Sequence, residues 1–146
     1  MARLRDIGIE VVNAPTGEFP TGNVIPLLHE IRHALQRLVD SGETTAIDLQ
    51  AIPMAPGEIE EIKQRLGQGE IQATLSALGT SLISETSIPG AWLVEHFNVN
   101  DELLARVIEV TRVPDIIRTD LRDLRDGLAR LAAELEGEST ESPAPD

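Results

Sequence analysis

The alternation of hydrophobic and polar positions divides the chain into helical and strand-like segments. Over residues 24–40 the apolar positions recur at helical spacing on one face. Asn23 is a suitable N-cap for this helix, and Gly42 is a suitable stop. A second, shorter helix is predicted over residues 57–66, where an acidic start leads into apolar positions and glycines follow.

Period-two alternation predicts the strands. A short strand is expected over Ile7–Val12, before a stretch broken by Pro and Gly. The remaining predicted strands cover residues 46–52, 70–75, 81–86, 91–97 and 103–111. Because short connections rich in Gly, Pro and Asn join the last four, we expect them to form an antiparallel meander.

A long helix is predicted over residues 115–136, with a seam of apolar side chains at steps of four and three. The seam consists of Ile117, Leu121, Leu124, Leu128, Leu131 and Leu135. Two interpretations stay open: the seam packs on the open face of the sheet, or part of it meets a second subunit. The acidic residues 137–146 are predicted to be a disordered tail.

The order of helix, strand, helix, several strands and helix predicts an α+β fold. We expect a two-layer domain with a mostly antiparallel sheet of about four to five strands and helices packed on one face. The expected organisation is an irregular segment over residues 1–22, a single domain over residues 23–136 and the tail over residues 137–146.

Composition narrows the classes of function. The absence of cysteine excludes disulfides, thiolate metal sites and a cysteine nucleophile. With 25 acidic against 12 basic residues and a net charge of −13, the surface repels phosphate backbones, so we expect no nucleic-acid partner. Since no window approaches ~20 apolar residues and the N-terminus leads into no apolar signal segment, we expect a cytoplasmic protein that makes no membrane contact.

One stretch has the pattern of a zinc site. In His29-Glu30-Ile31-Arg32-His33, the two histidines share one helix face, so both can bind one zinc ion while Glu30 acts as a general base. The apolar arc of this helix centres near Ile31, however, and the histidines lie nearly opposite to it. We interpret them as solvated helix-face side chains or an adventitious chelate. A partner-contact or regulatory metal site and a small zinc-dependent hydrolase are the alternatives.

Four segments together resemble a known family. They are Ile47-Asp48-Leu49 through Pro53, Leu66-Gly67-Gln68-Gly69-Glu70-Ile71, Glu85-Thr86-Ser87-Ile88-Pro89-Gly90-Ala91-Trp92, and Ile108-Glu109-Val110 with Pro114. Over about residues 24–125 the chain resembles the C-terminal conserved region of the HupH/HyaF-type hydrogenase expression proteins. The second and third segments are specific as a pair, whereas either alone is weak.

The resemblance implies an accessory role rather than catalysis, with no cofactor. Family members act in maturation of uptake nickel–iron hydrogenases, as chaperone-like factors that bind the iron–sulfur small subunit or its precursor before export by the twin-arginine route. Other hydrogenase accessory proteins are further expected partners. Family members are often longer and look like two related halves, so this single copy is expected to form a homodimer.

The expected partner-binding residues lie in the third and fourth segments: Glu85, Thr86, Gly90, Trp92 and Glu109. Gly90 allows a tight turn. Trp92, the only Trp, is either a core residue or a binding anchor. Glu85 and Glu109 are expected to lie together across strands, either in structural pairs or in binding or proton handling. The acidic surface is suited to a basic segment of the partner.

Overall fold

The computed structural model describes residues 20–140, in two compact units that meet at the Arg112–Val113 peptide bond. The first unit contains two helices and five strands: α1 (Val24–Ser41), β1 (Thr45–Asp48), α2 (Pro56–Leu66), β2 (Gln72–Ala77), β3 (Gly79–Glu85), β4 (Ala91–Phe97) and β5 (Leu103–Val110). The second contains a 3-10 turn (Asp115–Ile117) and α3 (Leu121–Thr140). The strand predicted over Ile7–Val12 lies outside the described residues.

The five strands form one antiparallel sheet in the order β1-β5-β4-β3-β2. The predicted meander of β2, β3, β4 and β5 is confirmed. β1 is added beside β5, so β1 and β2 are the two edges of the sheet. Together with the helices this confirms the α+β fold.

The core of the first unit lies between the two helices and one face of the sheet. α1 contributes Val24, Leu27, Ile31 and Ala34, whose three- and four-residue steps place them on one side of the helix. α2 contributes Ile62 and Leu66, and the sheet contributes Ile47, Ala91, Ile108 and Val110. The burial of these side chains is the main source of stability for the two-layer arrangement.

The opposite face of the central strands is also apolar. Ile83 and Val94 are directly opposed on β3 and β4, and both are fully buried. Trp92, two residues before Val94, lies on the same face and is buried as well. The middle of the sheet therefore has buried side chains on both faces.

The predicted strand over residues 46–52 ends early. β1 stops at Asp48, whose carboxylate accepts a hydrogen bond from the N–H of Gln50 at 2.9 Å. That bond caps a 3-10 turn over Leu49–Ala51. The local side-chain bond thus turns the backbone out of the sheet.

The last helix also differs from its prediction. It begins at Leu121 because Asp120 caps it, accepting a hydrogen bond from the N–H of Asp123 at 2.9 Å. It continues through Thr140, so the first residues of the predicted tail are helical. The leucines of its seam, Leu121, Leu124, Leu128, Leu131 and Leu135, are 56–71% exposed. Among residues 20–140, no helix is long and apolar enough to cross a membrane.

Candidate functional site

The second and third of the four segments that carry the family resemblance meet in space. The connection that leaves α2 packs against the turn that follows β3. The N–H of Ser87 donates to the carbonyl of Leu66 at 2.9 Å, and the N–H of Gly69 donates to the carbonyl of Glu85 at 2.8 Å. Two motifs that are separate in the sequence therefore form one backbone joint.

The glycines of the second segment, Gly67 and Gly69, make this joint possible. Gly67 has a φ of +71°, and a Cβ there would lie 2.5 Å from Oγ of Ser87. A Cβ on Gly69 would lie 2.5 Å from the carbonyl oxygen of Thr86, closer than non-bonded atoms approach. Only residues without a side chain allow the two backbones to come this close.

Thr86 and Gly90 shape the β3–β4 turn. The hydroxyl of Thr86 is buried, donates to the carbonyl of Ala91 at 2.8 Å and accepts from the N–H of Ile88 at 3.1 Å. Gly90 has a φ of +95°, and a Cβ there would lie 3.0 Å from the side chain of Leu35 on α1. Thr86 therefore fixes the turn from within, and Gly90 lets the turn approach α1 closely.

Glu85, Trp92 and Glu109 form a row across β3, β4 and β5. Glu85 opposes Trp92, and Trp92 opposes Glu109. The two carboxylate residues are therefore neighbours of Trp92 and not of each other, unlike the expected placement together. Trp92 is 4% exposed and its indole N–H donates to the carbonyl of Thr111 at 3.1 Å. Of its two expected roles, the structure places Trp92 in the interior.

A cavity of about 350 Å³ opens beside the joint, between α2 and the helix-covered face of the sheet. Its floor includes Leu93 and Ile108. Its polar wall includes Lys63, Gln68, Gln72, Ser84, Thr86 and Glu95. An apolar floor with polar groups around it is the usual composition of a binding site.

A charged group in this wall was not expected from the sequence. Glu95 is directly opposite Arg106, and its carboxylate lies 2.7 Å from Nε of Arg106 and 3.5 Å from Nζ of Lys63. The side chain of Glu95 is only 12% exposed. Alternation along β4 places Glu95 on the same, helix-covered face as Leu93. A charge on that face needs partners such as Arg106 and Lys63. The odd-numbered position of Glu95 in β4 was therefore the available signal in the sequence.

Glu58 is a second residue that the sequence reasoning missed. It is buried in the first turn of α2, and its carboxylate accepts hydrogen bonds from the N–H of Ala55 at 3.0 Å and from the N–H and hydroxyl of Thr21. These bonds, the one from Ala55 foremost, lower the pKa of Glu58 to about 2. The available signal was an acidic residue two positions after Pro56 at a helix start.

The histidine motif lies elsewhere and is exposed. His29, Glu30 and His33 all face outward from α1, on the side away from the buried Ile31. Within residues 20–140, the structure brings no three metal-binding side chains together. The motif therefore has no third protein ligand in the described part of the chain, and the zinc hydrolase alternative is not supported.

The fold and the joined motifs correspond to a known class, the hydrogenase expression proteins. The family model described as "HupH hydrogenase expression protein, C-terminal conserved region" matches residues 21–137. The chain belongs to this family, as the resemblance predicted.

Sequence relatives agree with this assignment. The chain is 32% identical over 119 residues to the hydrogenase expression/formation protein HoxQ of Azotobacter vinelandii, a match that covers 79% of the chain and 42% of that protein. It is 31% identical over 117 residues to the hydrogenase expression/formation protein HupH of Rhizobium leguminosarum bv. viciae, with the same coverage of 79% and 42%. The match thus spans less than half of these relatives.

A solved structure shows the same fold. The hydrogenase expression protein HupH from Thiobacillus denitrificans is 35% identical to this chain and superposes with a TM-score of 0.78. The match covers 82% of this chain and 99% of the solved one. The arrangement of helices and strands described above is therefore that of an independently solved family member.

Proposed function

We propose that the protein is a chaperone-like accessory factor in the maturation of an uptake nickel–iron hydrogenase, and that it acts by binding rather than by catalysis. Its partner is the iron–sulfur small subunit or its precursor, bound in the cytoplasm before export. One observation carries the proposal. The two motifs that identify the family are joined through backbone hydrogen bonds at the wall of an open, polar-rimmed cavity.

The cavity divides the expected partner-binding residues into two groups. Glu85 and Thr86 line its wall; Glu85 belongs to the contact surface, and the buried Thr86 shapes the turn beneath it. Gly90, Trp92 and Glu109 support that surface from behind: Gly90 by its turn, Trp92 by its bond to Thr111, and Glu109 by its place beside Trp92 in the sheet. In this division Gln68, which is exposed and lines the cavity, joins the contact residues.

The charge of the protein favours a basic segment of the partner. The chain carries a net charge of −13, so a basic segment is attracted over several ångströms before it reaches the cavity. Attraction of this kind is screened by salt. We expect weaker retention of the small-subunit precursor at high salt than at low salt.

Co-purification tests the proposal. Tagged protein is recovered from cells that make the small-subunit precursor, and the retained precursor is measured. Gln68→Trp fills the cavity mouth and is expected to abolish retention. Gln64→Trp is the matched control, because Gln64 is an exposed glutamine of α2 outside the cavity wall. Equal retention by both variants, with both folded by circular dichroism, would remove the cavity from the proposal.

The quaternary state is part of the same proposal. We propose a homodimer, with other hydrogenase accessory proteins as additional partners. Light scattering during gel filtration measures its mass directly.

A further inference from the structure

The edge strand β2 is left open. In the described part of the chain β2 has a neighbour on one side only, β3. Its six residues, Gln-Ala-Thr-Leu-Ser-Ala, include neither charge nor proline, and five of the six are exposed. Free edges normally carry a charge, a proline or a bulge that prevents pairing with another strand. β2 carries none of these within its six residues.

The hydrogen bonds to β3 show which backbone groups are free. The N–H of Glu85 donates to the carbonyl of Ile71 at 2.9 Å. In an antiparallel pair the bonded residues alternate, so the odd-numbered residues of β2 bond to β3. The N–H and C=O groups of Gln72, Thr74 and Ser76 therefore point away from the sheet.

The side chains of β2 separate by face. Ala73 opposes Ile83, so Ala73, Leu75 and Ala77 lie on the face that carries the buried Ile83 and Val94. Gln72, Thr74 and Ser76 lie on the helix-covered face, where Gln72 lines the cavity. The edge thus offers an apolar row on one face and a polar row on the other.

We infer that β2 pairs with β2 of a second copy, antiparallel and about a two-fold axis at Thr74, which joins the two five-stranded sheets into one. The inference rests on the homodimer of the proposed function and names its interface. Outward-pointing residues must oppose outward-pointing residues. With the two-fold axis at Thr74, all three outward-pointing residues, Gln72, Thr74 and Ser76, pair with outward-pointing residues of the second copy.

The strand complements itself in this register. Thr74 meets Thr74 of the partner subunit, and Gln72 meets the partner's Ser76, so polar side chains oppose polar side chains. On the other face Ala73 meets the partner's Leu75, which extends the apolar row across the axis. Threonine pairs and apolar pairs are favourable cross-strand neighbours.

The lack of charged residues in β2 favours a second copy over a charged peptide as its partner. Two copies with a net charge of −13 each repel at a distance, yet the residues of β2 bring no like charges into opposition. A basic segment would find no carboxylate within the six residues of β2. The pairing also places the partner's Ser76 beside Gln72, so the second copy extends the cavity wall.

The exposed leucines of α3 are the competing interface. They extend over little more than two heptads, from Leu121 to Leu135, whereas a coiled coil is indicated by about three to four. They provide apolar surface without a defined register. The test therefore includes this seam.

Cysteine cross-linking tests the register, because the chain has no cysteine of its own. Directly opposed, hydrogen-bonded residues have Cα atoms about 5.5 Å apart, which suits a disulfide. Thr74→Cys is expected to form a covalent dimer under mild oxidation. Ser76→Cys is the matched control, since its counterpart lies four residues, about 13 Å, further along the partner strand. A mixture of Gln72→Cys and Ser76→Cys proteins is expected to cross-link.

The expected result is cross-linking of Thr74→Cys at least about tenfold faster than that of Ser76→Cys, a ratio that corresponds to about 1.4 kcal/mol. Equal rates, or no covalent dimer from Thr74→Cys in a dimeric sample, would overturn the β2 pairing and leave the homodimer standing. A wild-type protein that is monomeric at every concentration would overturn both. Precursor retention, measured on the same samples, reports separately on the proposed binding function.

Two substitutions without cysteine complete the test. Thr74→Pro removes an outward N–H and leaves the bonds from β2 to β3 intact, a position where edge strands accept proline. We expect its dimer dissociation constant to rise at least about tenfold, or about 1.4 kcal/mol. Leu128→Gln on α3 is expected to leave the dimer unchanged. The reverse pattern, with dimer loss in Leu128→Gln alone, would overturn the inference in favour of α3.

Discussion

The two edge strands of the sheet, β1 and β2, differ in length and charge. β1 has four residues, ends at Asp48 and is followed at once by a 3-10 turn. Its first residue, Thr45, accepts a hydrogen bond from Arg37 of α1 at 3.3 Å. β2 has six residues, is uncharged and is largely exposed. Since short length and charge are what normally prevent strand addition, the sheet formed by residues 45–110 is protected at one edge and open at the other.

The open edge directly follows the joint between the second and third family segments, whereas the closed edge contains part of the first segment. Gly69 and the joint to Glu85 come directly before β2, and Gln72 at the start of β2 lines the cavity. A second copy on β2 would therefore lie beside the proposed partner-binding surface. The proposed pairing and the proposed partner binding thus use neighbouring surfaces of the first unit.

Among the substitutions considered, one in the central strand β4, to which both edges are connected, should lower the free energy of unfolding most. Trp92 lies in β4, at the centre of the sheet, and is buried. We expect Trp92→Ala to lower the free energy of unfolding by about 3–5 kcal/mol, through lost burial and the cavity left behind. Urea unfolding followed by circular dichroism measures it. A loss below about 1 kcal/mol would show that Trp92 is not a core residue.

A change beside the open edge alone should have an intermediate effect. In Gly69→Ala, the added Cβ meets the carbonyl of Thr86 at 2.5 Å, so the backbone of the joint must shift. We expect a loss of about 1–3 kcal/mol and weaker retention of the precursor. Gly57→Ala in α2 is the matched control, because a Cβ there meets nothing within 4 Å. Equal stability of the two variants would contradict the close approach at Gly69.

Acid should remove the stabilisation that the Glu58 carboxylate gives to the start of α2. The pKa of Glu58 is about 2 in the folded protein against an ordinary value of 4.5. Because the folded pKa is the lower one, its contribution to stability is complete above pH 4.5 and is lost as the pH falls from 4.5 towards 2. We expect Glu58→Gln to be less stable than wild type at pH 7, with the gap closing over that range. A gap independent of pH would contradict the role of the carboxylate.

The smallest effect is expected at the closed edge. Arg37 contacts Thr45 and lies 3.6 Å from Glu43, but both ionic side chains are about half exposed. We expect Arg37→Ala to change stability by less than about 1 kcal/mol. Gel filtration should show the same elution volume as wild type, since the short β1 remains. A new, larger assembly would show that Arg37 is what protects this edge.

Local signals in the sequence predicted much of this fold. The stretch over residues 91–97 was predicted as a strand and is β4, and the apolar period of α1 and the stop at Gly42 were both confirmed. These features depend on neighbours in the sequence. The early end of β1 and the late start of α3 depend on single side-chain bonds, from Asp48 and Asp120, which period alone does not reveal.

The candidate site was harder to predict because it depends on contacts between distant segments. The sequence identifies the two motifs as a pair. It does not show that the N–H of Gly69, just before β2, bonds to the carbonyl of Glu85 at the end of β3. The Glu95–Arg106 pair depends on the register of β4 with β5. The four-residue spacing of His29 and His33 suggested a metal site, but spacing alone does not bring further ligands together. The structure leaves both histidines exposed on α1.

Hydrogen–deuterium exchange of the protein with and without the purified small-subunit precursor tests the central claim, that the joined motifs form the partner-binding surface. The account predicts slower exchange on binding in residues 66–72 and 84–88, which line the cavity and form the joint, and unchanged exchange in α1 around His29 and His33. Bound precursor with unchanged exchange in both motif segments would contradict it.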